Sequence, residues 1–367
     1  MKILYTTTVG LTMGFFNALI HDLIEKGHTV DIACNESEFQ VAECYRDWGC
    51  QIYPISWTRS PLSKANAKAI KELKDIVEEN VYDIVHCHTP VAAVCTRLAC
   101  KKLRKSGLKV FYTAHGFHFY KGAPIQNWLL YYPVEWLCSF WTDTLITINH
   151  EDFARAKKHF YAKKTEYVPG VGVDVDKFKN TVVDRAAKRK EIGVPEDAFL
   201  LLSVGELNKN KNHQIVIKAL AKLNNPKIHY IIAGEGLLKT YLLNLARDAG
   251  VFGNVHLLGR RSDVAELYKA ADVCVFPSIR EGLGLAALEG MASGLPLLGV
   301  DNRGTREYVQ DAEMLLYDDV NAFVSAIQKM YANTDLTTEK GKRNIAVVEN
   351  YSIDLVRERM EGIYGLR

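Results

Sequence analysis

Short, unbroken apolar runs alternate with amphipathic segments along the whole chain, and this restricts its possible folds more than any other feature. KILYTT, TVDIAC, YDIVHCH, LKVFYTA and DTLITIN follow one another in the first half. Helical periodicity fills intervals at Gly14–Lys26, closed by Gly27, and at Lys64–Glu79, Pro90–Lys105 and Gln126–Phe140. A strand apolar on both sides must be covered on both faces, and a helix after each strand returns the chain to lay the next strand parallel. The pattern pauses at EYVPGVGVDVDKF, Glu166–Phe178, where Pro169, Gly170 and Gly172 break any regular element. It then restarts with FLLLSVG, HYIIAGEG, VHLLG, DVCVFPS, LPLLGV and EMLLYD. The expectation is an α/β protein of two Rossmann-like, doubly wound parallel-sheet domains, residues 1–170 and 171–350. A length of 367 residues suits two domains of about 150 or more each. The amphipathic last segment, about 351–367, has no strand after it and is expected to cross back onto the first domain. Ligands of open parallel sheets bind beyond the carboxyl ends of the strands, so two such domains would face an interdomain cleft.

Charge narrows the function. With 46 Lys and Arg against 43 Asp and Glu, the net charge of +3 gives no bulk attraction to nucleic acid. The first 168 residues hold 20 of the cations against 17 of the anions, and so carry the whole excess. All five tryptophans, Trp48, Trp57, Trp128, Trp136 and Trp141, lie in that half too. The eight cysteines form no C-x-x-C pair, which argues against a disulfide or metal framework. MKILYTTTVG lacks the apolar stretch of a signal peptide, and no run of about 18 apolar residues could span a bilayer. The expected location is the cytoplasm.

Candidate chemistry sits where strands end. Gly14, in TVGLTMGFFNAL, would let a bound group approach the backbone beside a helix start, though a simple turn glycine fits the spacing equally well. His115 follows KVFYTA, with His86, His88 and His118 as rivals; a packing role is open to each. No carboxylate or cysteine joins them at metal-ligand spacing, so no metal is expected. Lys209 and Lys211 lie between a strand and a helix, where an ammonium suits a diphosphate, or where a solvated loop would place them anyway. The sharpest stretch is REGLGLAALEGMASGLPLLGV, Arg280–Val300, which keeps two glutamates eight positions apart in an apolar run. A helix from about Gly284 to Met291 rises about 12 Å over eight residues. That span would separate Glu281 from Glu289 as a diphosphate separates a sugar from a ribose. The N–H groups near Gly284, Leu285 and Ala286 would face an anion.

These segments resemble the retaining, nucleotide-sugar-dependent glycosyltransferases of family four, which have the GT-B fold. PSIREGLGLAALEGMASGLPL is similar to their glutamate–seven residues–glutamate signature. SVGELNKNKN, IAGEG, LLGRRSDVAELYKAADVCVFPS and PGVGVDVDKF follow in the family's order, along nearly the whole chain. HTPVAA and TAHGFHFYKG look most like the branch that builds bacterial capsule and exopolysaccharide. The resemblance implies a donor-sugar contact for Glu281, helped by the backbone of Gly282, Leu283 and Gly284, and a ribose contact for Glu289. It further implies that Lys211 neutralises the diphosphate, that Gly14 lets a loop approach it, that the backbone of Arg261 meets the base and that His115 reaches the transferred sugar. One position departs: Glu206 stands where the family usually has a diphosphate-binding arginine, and Arg280, Lys209 or Arg303 are the cations that could replace it.

The resemblance therefore implies transfer of a sugar, with retention, from a UDP-hexose or UDP-N-acetylhexosamine to a polyprenyl-diphosphate-linked saccharide, without a cofactor. The acceptor would lie on the N-terminal half. There GFHFYKGAPIQNWLLYYPVEWLCSFW and the basic run KKLRKSGLK, Lys101–Lys109, could form an apolar lip with a cationic rim, peripheral to the inner membrane face. A core helix with a solvated basic end is the plainer alternative. Two other functions compete: a GT-B sugar-nucleotide epimerase acting on the donor alone, and a non-catalytic nucleotide-sugar-binding scaffold.

Overall fold

The computed structural model describes residues 1–366. The chain divides into two compact units, one of Met1–Val171 together with the chain from Val356 onward, the other Gly172–Leu355. Arg367, the last residue of the expected C-terminal helix, lies outside the described residues.

The first unit is built on seven strands: β1 Lys2–Val9, β2 Thr29–Asn35, β3 Ile52–Pro54, β4 Ile84–His88, β5 Lys109–Ala114, β6 Thr144–Thr147 and β7 Lys164–Tyr167. They pair in parallel in the order β3-β2-β1-β4-β5-β6-β7. Side chains alternate across the sheet. Ile3 and Tyr5 of β1 join a core with Ile20 and Leu23 of the helix Asn17–Glu25. Leu4 turns to the other face, among Leu73, Val85, Ala92 and Val110. The C-terminal helix Ile353–Tyr364 sends Val356, Met360 and Tyr364, spaced one helical turn apart, into the first of these cores. The expected single helix over Gly14–Lys26 is not found. Residues Gly10–Phe15 form a 3-10 turn and the α-helix starts only at Asn17, so Gly14 lies in the turn.

The second unit has six strands: β8 Phe199–Val204, β9 Ile228–Ala233, β10 Val255–Gly259, β11 Val273–Phe276, β12 Leu297–Val300 and β13 Leu315–Leu316. Their order is β10-β9-β8-β11-β12-β13, again with parallel pairs. In each unit the strand order reverses once, between β1 and β4 and between β8 and β11. Neighbouring loops leave in opposite directions at such a point and open a crevice at the carboxyl ends. The segments following β1, β5, β8 and β11 hold most of the residues singled out above, and His86 and His88 lie on β4 itself.

Candidate functional site

In the second unit, the loops after β8 and β11 are tied together. The Ile279 amide donates to the Asn210 carbonyl at 2.9 Å, and the Asn210 side chain donates to the Arg280 carbonyl at 2.9 Å. This lacing brings Lys211 Nζ within 2.7 Å of Glu281 Oε1, both side chains largely withdrawn from solvent. The ammonium also lies 5.2 Å from the centre of the Phe276 ring. The Asn208 side chain receives the Lys211 amide at 3.0 Å, which sets the turn that delivers the lysine.

Gly284 caps the helix Leu285–Ala292 with φ of 98°, a left-handed conformation that a side chain resists. A Cβ there would also lie 2.8 Å from the Phe276 ring, so the site cannot be built with another residue. The first-turn N–H groups of this helix, at Leu285 and Ala286, have no carbonyl partner in helical geometry. The Leu283 carbonyl accepts from the Tyr308 hydroxyl at 3.0 Å, and the Ala286 carbonyl from the Tyr268 hydroxyl at 2.6 Å. Both tyrosines brace the turn from beneath. Glu289, one further turn on, is half-buried; burial pushes its carboxyl up to about 7, against the charge of Lys177 and the nearby Tyr268 hydroxyl.

The structure separates the three cations considered as replacements for the arginine. Lys209 and Arg280 are exposed. Arg303 is buried, and its Nε donates to the Glu281 carbonyl at 3.3 Å. Glu206 is exposed and accepts from the Asn208 side chain at 3.0 Å, on its own loop. Arg261 turns its guanidinium to Asp263, at 2.7 and 2.5 Å, and to Glu191 at 2.5 Å, leaving its backbone as the part able to meet a ligand.

The first unit arranges neutral groups. His115 Nε2 lies 3.1 Å from His88 Nδ1. The deeper His86 is bonded at both nitrogens, to the Tyr364 hydroxyl at 2.6 Å and to Thr113 Oγ1 at 2.8 Å, and Tyr364 in turn meets the Tyr5 hydroxyl at 2.5 Å. Burial lowers His115 to about 4 and His86 to about 3, so both are neutral at neutral pH. His118, the remaining rival, stacks on Tyr131 at 4.5 Å. Gly14 is exposed, and a Cβ on it would meet nothing within 4 Å. Among the residues that sequence reasoning leaves unassigned, the partnership of His88 with His115 has one visible signal, the two-residue spacing of IVHCH, which places His86 and His88 on one sheet face. Tyr364, Tyr308 and Tyr268 have none.

Comparison with known proteins follows the same division. The family of glycosyl transferases group 1 matches residues 184–346, and a glycosyl transferase 4-like family matches residues 2–149. A Bacillus subtilis protein named as the glycosyltransferase EpsD is 41% identical over 320 residues, covering 85% of this chain and 84% of its own. An Escherichia coli UDP-Gal:alpha-D-GlcNAc-diphosphoundecaprenol alpha-1,3-galactosyltransferase is 28% identical over 316 residues, covering 82% of this chain and 81% of its own. The crystal structure of Anabaena HepE in complex with UDP and glucose aligns over 100% of both chains with a TM-score of 0.81 at 18% identity, which shows a shared fold of the GT-B class. Two Rossmann-like sheets, each with side chains gathered at its switch point, and a relative this similar over most of its length lead to one assignment: the chain belongs to the group 1 glycosyltransferases.

Proposed function

We propose that this enzyme is a retaining transferase that moves a hexose or N-acetylhexosamine from UDP to a polyprenyl-diphosphate-linked saccharide. The observation that carries the reading is the pair of Lys211 and Glu281, held largely out of water at the mouth of the second sheet. Breaking the bond between a sugar and a nucleoside diphosphate builds negative charge on the departing phosphate and positive charge on the anomeric carbon. A lysine and helix N–H groups fixed beforehand stabilise the first of these without reorganising. In the free protein Glu281 neutralises Lys211. A diphosphate offers that lysine a more highly charged partner, which releases the carboxylate to accept sugar hydroxyls.

The remaining roles follow from position. The amides of Gly282, Leu283, Gly284 and Leu285 border the phosphate and sugar, and Glu289 accepts the ribose hydroxyls. The Arg261 backbone meets the uracil, His115 the transferred sugar, and Gly14 lets its turn approach the phosphates; among the described residues nothing lies within 4 Å of where its Cβ would stand. Arg303 supplies the positive charge absent at Glu206. The diphosphate takes the proton of the acceptor hydroxyl, which attacks from the face that the leaving group vacates.

Two names support the substrate class: the HepE complex holds UDP and glucose, and the Escherichia coli relative is named for transfer from UDP-Gal to a diphosphoundecaprenol-linked sugar. The helix Ile125–Ser139 supports a lipid-borne acceptor, because it leaves Ile125, Leu129, Leu130 and Leu137 exposed. The test is a thermal-shift panel of nucleotide sugars on the wild type and on Glu289→Ala. One UDP-sugar should raise the melting temperature of the wild type, and the variant should lose most of the shift. No shift with any nucleotide would remove the reading.

A further inference from the structure

We propose that His88 is a positioning residue that holds His115 in the tautomer protonated on Nδ1, so that His115 meets its ligand as a hydrogen-bond donor and not as a base. His88 is the last residue of β4, and His115 follows the end of β5. Their rings lie 5.4 Å apart, and His88 Nδ1 is 3.1 Å from His115 Nε2. Two neutral imidazoles can share this one hydrogen bond in only two ways. If His115 donates from Nε2, His88 accepts at Nδ1 and must carry its own proton on Nε2. That nitrogen is buried without a partner, so an N–H would be stranded away from water. If His88 donates from Nδ1, its Nε2 is left as a bare lone pair. Protein interiors tolerate an unmet acceptor more readily than an orphaned N–H. The second arrangement therefore wins. His115 then accepts at Nε2, and its one proton sits on Nδ1, which has no partner among the described residues.

The surroundings keep His88 in place. Its ring packs between Phe16, at 4.2 Å between centroids, Tyr5 at 5.4 Å and His86 at 4.2 Å. His86 cannot turn without breaking its bonds to Tyr364 and Thr113. Behind His88 the chain enters Thr89 with φ of 64°, a strained value for a non-glycine residue, held by a 3.0 Å bond from the Thr8 amide to Thr89 Oγ1. Burial that keeps both imidazoles neutral preserves this one-proton arrangement at neutral pH. The ligand chemistry follows: the Nδ1–H of His115 suits an oxygen lone pair, such as a sugar hydroxyl oxygen, and cannot remove a proton from one. That last step rests on the transferase reading; the tautomer does not.

The test begins with the unliganded wild type labelled with ¹⁵N histidine. Long-range imidazole correlations should show both His88 and His115 protonated on Nδ1 and bare on Nε2. His115 protonated on Nε2 would overturn the proposal whatever the activity. Activity is then compared in His88→Asn, whose amide N–H stands near the place of Nδ1–H, and in His88→Leu, which has no donor. Turnover should fall roughly 10- to 100-fold in the leucine variant, as when other orienting partners are lost, and be largely restored in the asparagine variant. Equal impairment of the two, with the His115 tautomer unchanged, would also overturn it. A wild type that shows the Nδ1–H form but turns over no nucleotide sugar supports the tautomer assignment and defeats the transferase reading instead.

Discussion

The two units use the same scaffold for opposite electrostatics. Each reverses its strand order once and collects side chains beyond that point. The second unit places charge there: Lys211 against Glu281, the buried Arg303 beside them, and Glu289 a turn further along the helix. The first places a chain of neutral donors and acceptors, from Tyr5 through Tyr364 and His86 to Thr113, with His88 and His115 alongside. Fixed charge answers charge that develops in a reaction. Neutral hydrogen bonds read the position of hydroxyls without altering the charge of the site. A transferase needs both, and the parallel sheet permits either, because its crevice is lined by loops whose composition the core does not dictate.

The largest break in the comparison comes from removing charge where charge is used. Lys211→Ala should lower turnover by roughly 10²- to 10³-fold or more, the scale of losing one preorganised stabilising group. The melting temperature should change little, since the variant also frees Glu281 to meet water through its partly open mouth. A variant that keeps a tenth of wild-type turnover would take the lysine out of the proposed chemistry.

How much of each unit is legible in the amino-acid sequence follows the same physics. Long apolar strands such as β1 and β8 stand out, because burial on both faces leaves little room for charge between their ends. The strands β3 and β7 do not. Both are sheet edges of three or four residues; β3 ends in Pro54, which an edge tolerates, and β7 reads KTEY, half-exposed. The charged site is readable because Lys211, Glu281 and Glu289 each lie in a short ordered motif, although the 2.7 Å contact between two of them depends on the lacing of loops seventy residues apart. Of the neutral site only the histidines are readable, and not the bonds between them and their partners. Tyr364 meets His86 across 278 positions, and the bond between His88 and His115 depends on the register of β4 with β5, where His88 faces Thr113. Register and long-range closure belong to packing, and no local pattern encodes them.

A sharper comparison uses pH, because the two units should respond with opposite sign. Glu289 binds its proton up to about 7 in the folded protein, against an ordinary value of 4.5. Between those values the native state holds more protons than the unfolded chain, so this contribution is present at low pH and lost as pH rises to 7. His115 and His86 are lowered from 6.5 to about 4 and about 3. Here the unfolded chain binds the extra protons, so stability is complete above 6.5 and lost as pH falls towards 4. Glu289→Gln should therefore stabilise the unliganded second unit at pH 8 by roughly 2 kcal/mol, less than the full shift implies because the carboxyl is partly exposed, and have no such effect at pH 4.5. Hydrogen exchange, corrected for its intrinsic pH dependence, resolves the units separately. The first unit should open more readily as the medium is acidified from pH 7 to 5, in wild type and variant alike. An identical pH response in both units would contradict the contrast drawn between them.

The smallest expected effect concerns surface. In the second unit, exposed large apolar residues such as Val182, Leu237, Phe252 and Tyr317 are scattered among separate segments. In the first, others such as Leu62 and Val81 also stand apart, but a group gathers on the helix Ile125–Ser139, where Ile125, Leu129, Leu130 and Leu137 stand in water, while its buried Glu135 holds Arg97 at 2.8 Å. Phe140, just after that helix, stacks on Tyr161 at 4.5 Å and extends the apolar surface. The basic run meets it there: Arg104 donates to the Phe140 carbonyl at 2.9 Å but is itself neutralised by two 2.8 Å bonds to Asp143. The cationic rim is thus left to Lys101, Lys102, Lys105 and Lys109, all exposed. Among the described residues no helix is long and apolar enough to cross a membrane. Replacing Leu129 and Leu130 together by serine removes two side chains that are 69% and 65% exposed, and so should change folding stability by only about 0.5 kcal/mol. It should nevertheless weaken sedimentation with vesicles containing anionic lipid roughly tenfold. Charge reversal at Lys101 and Lys105 should weaken it further and reduce its salt dependence, since each lysine near an anionic surface contributes about 1 kcal/mol. If the wild type stays in the supernatant when such vesicles are pelleted at low salt, the exposed helix does not serve a membrane.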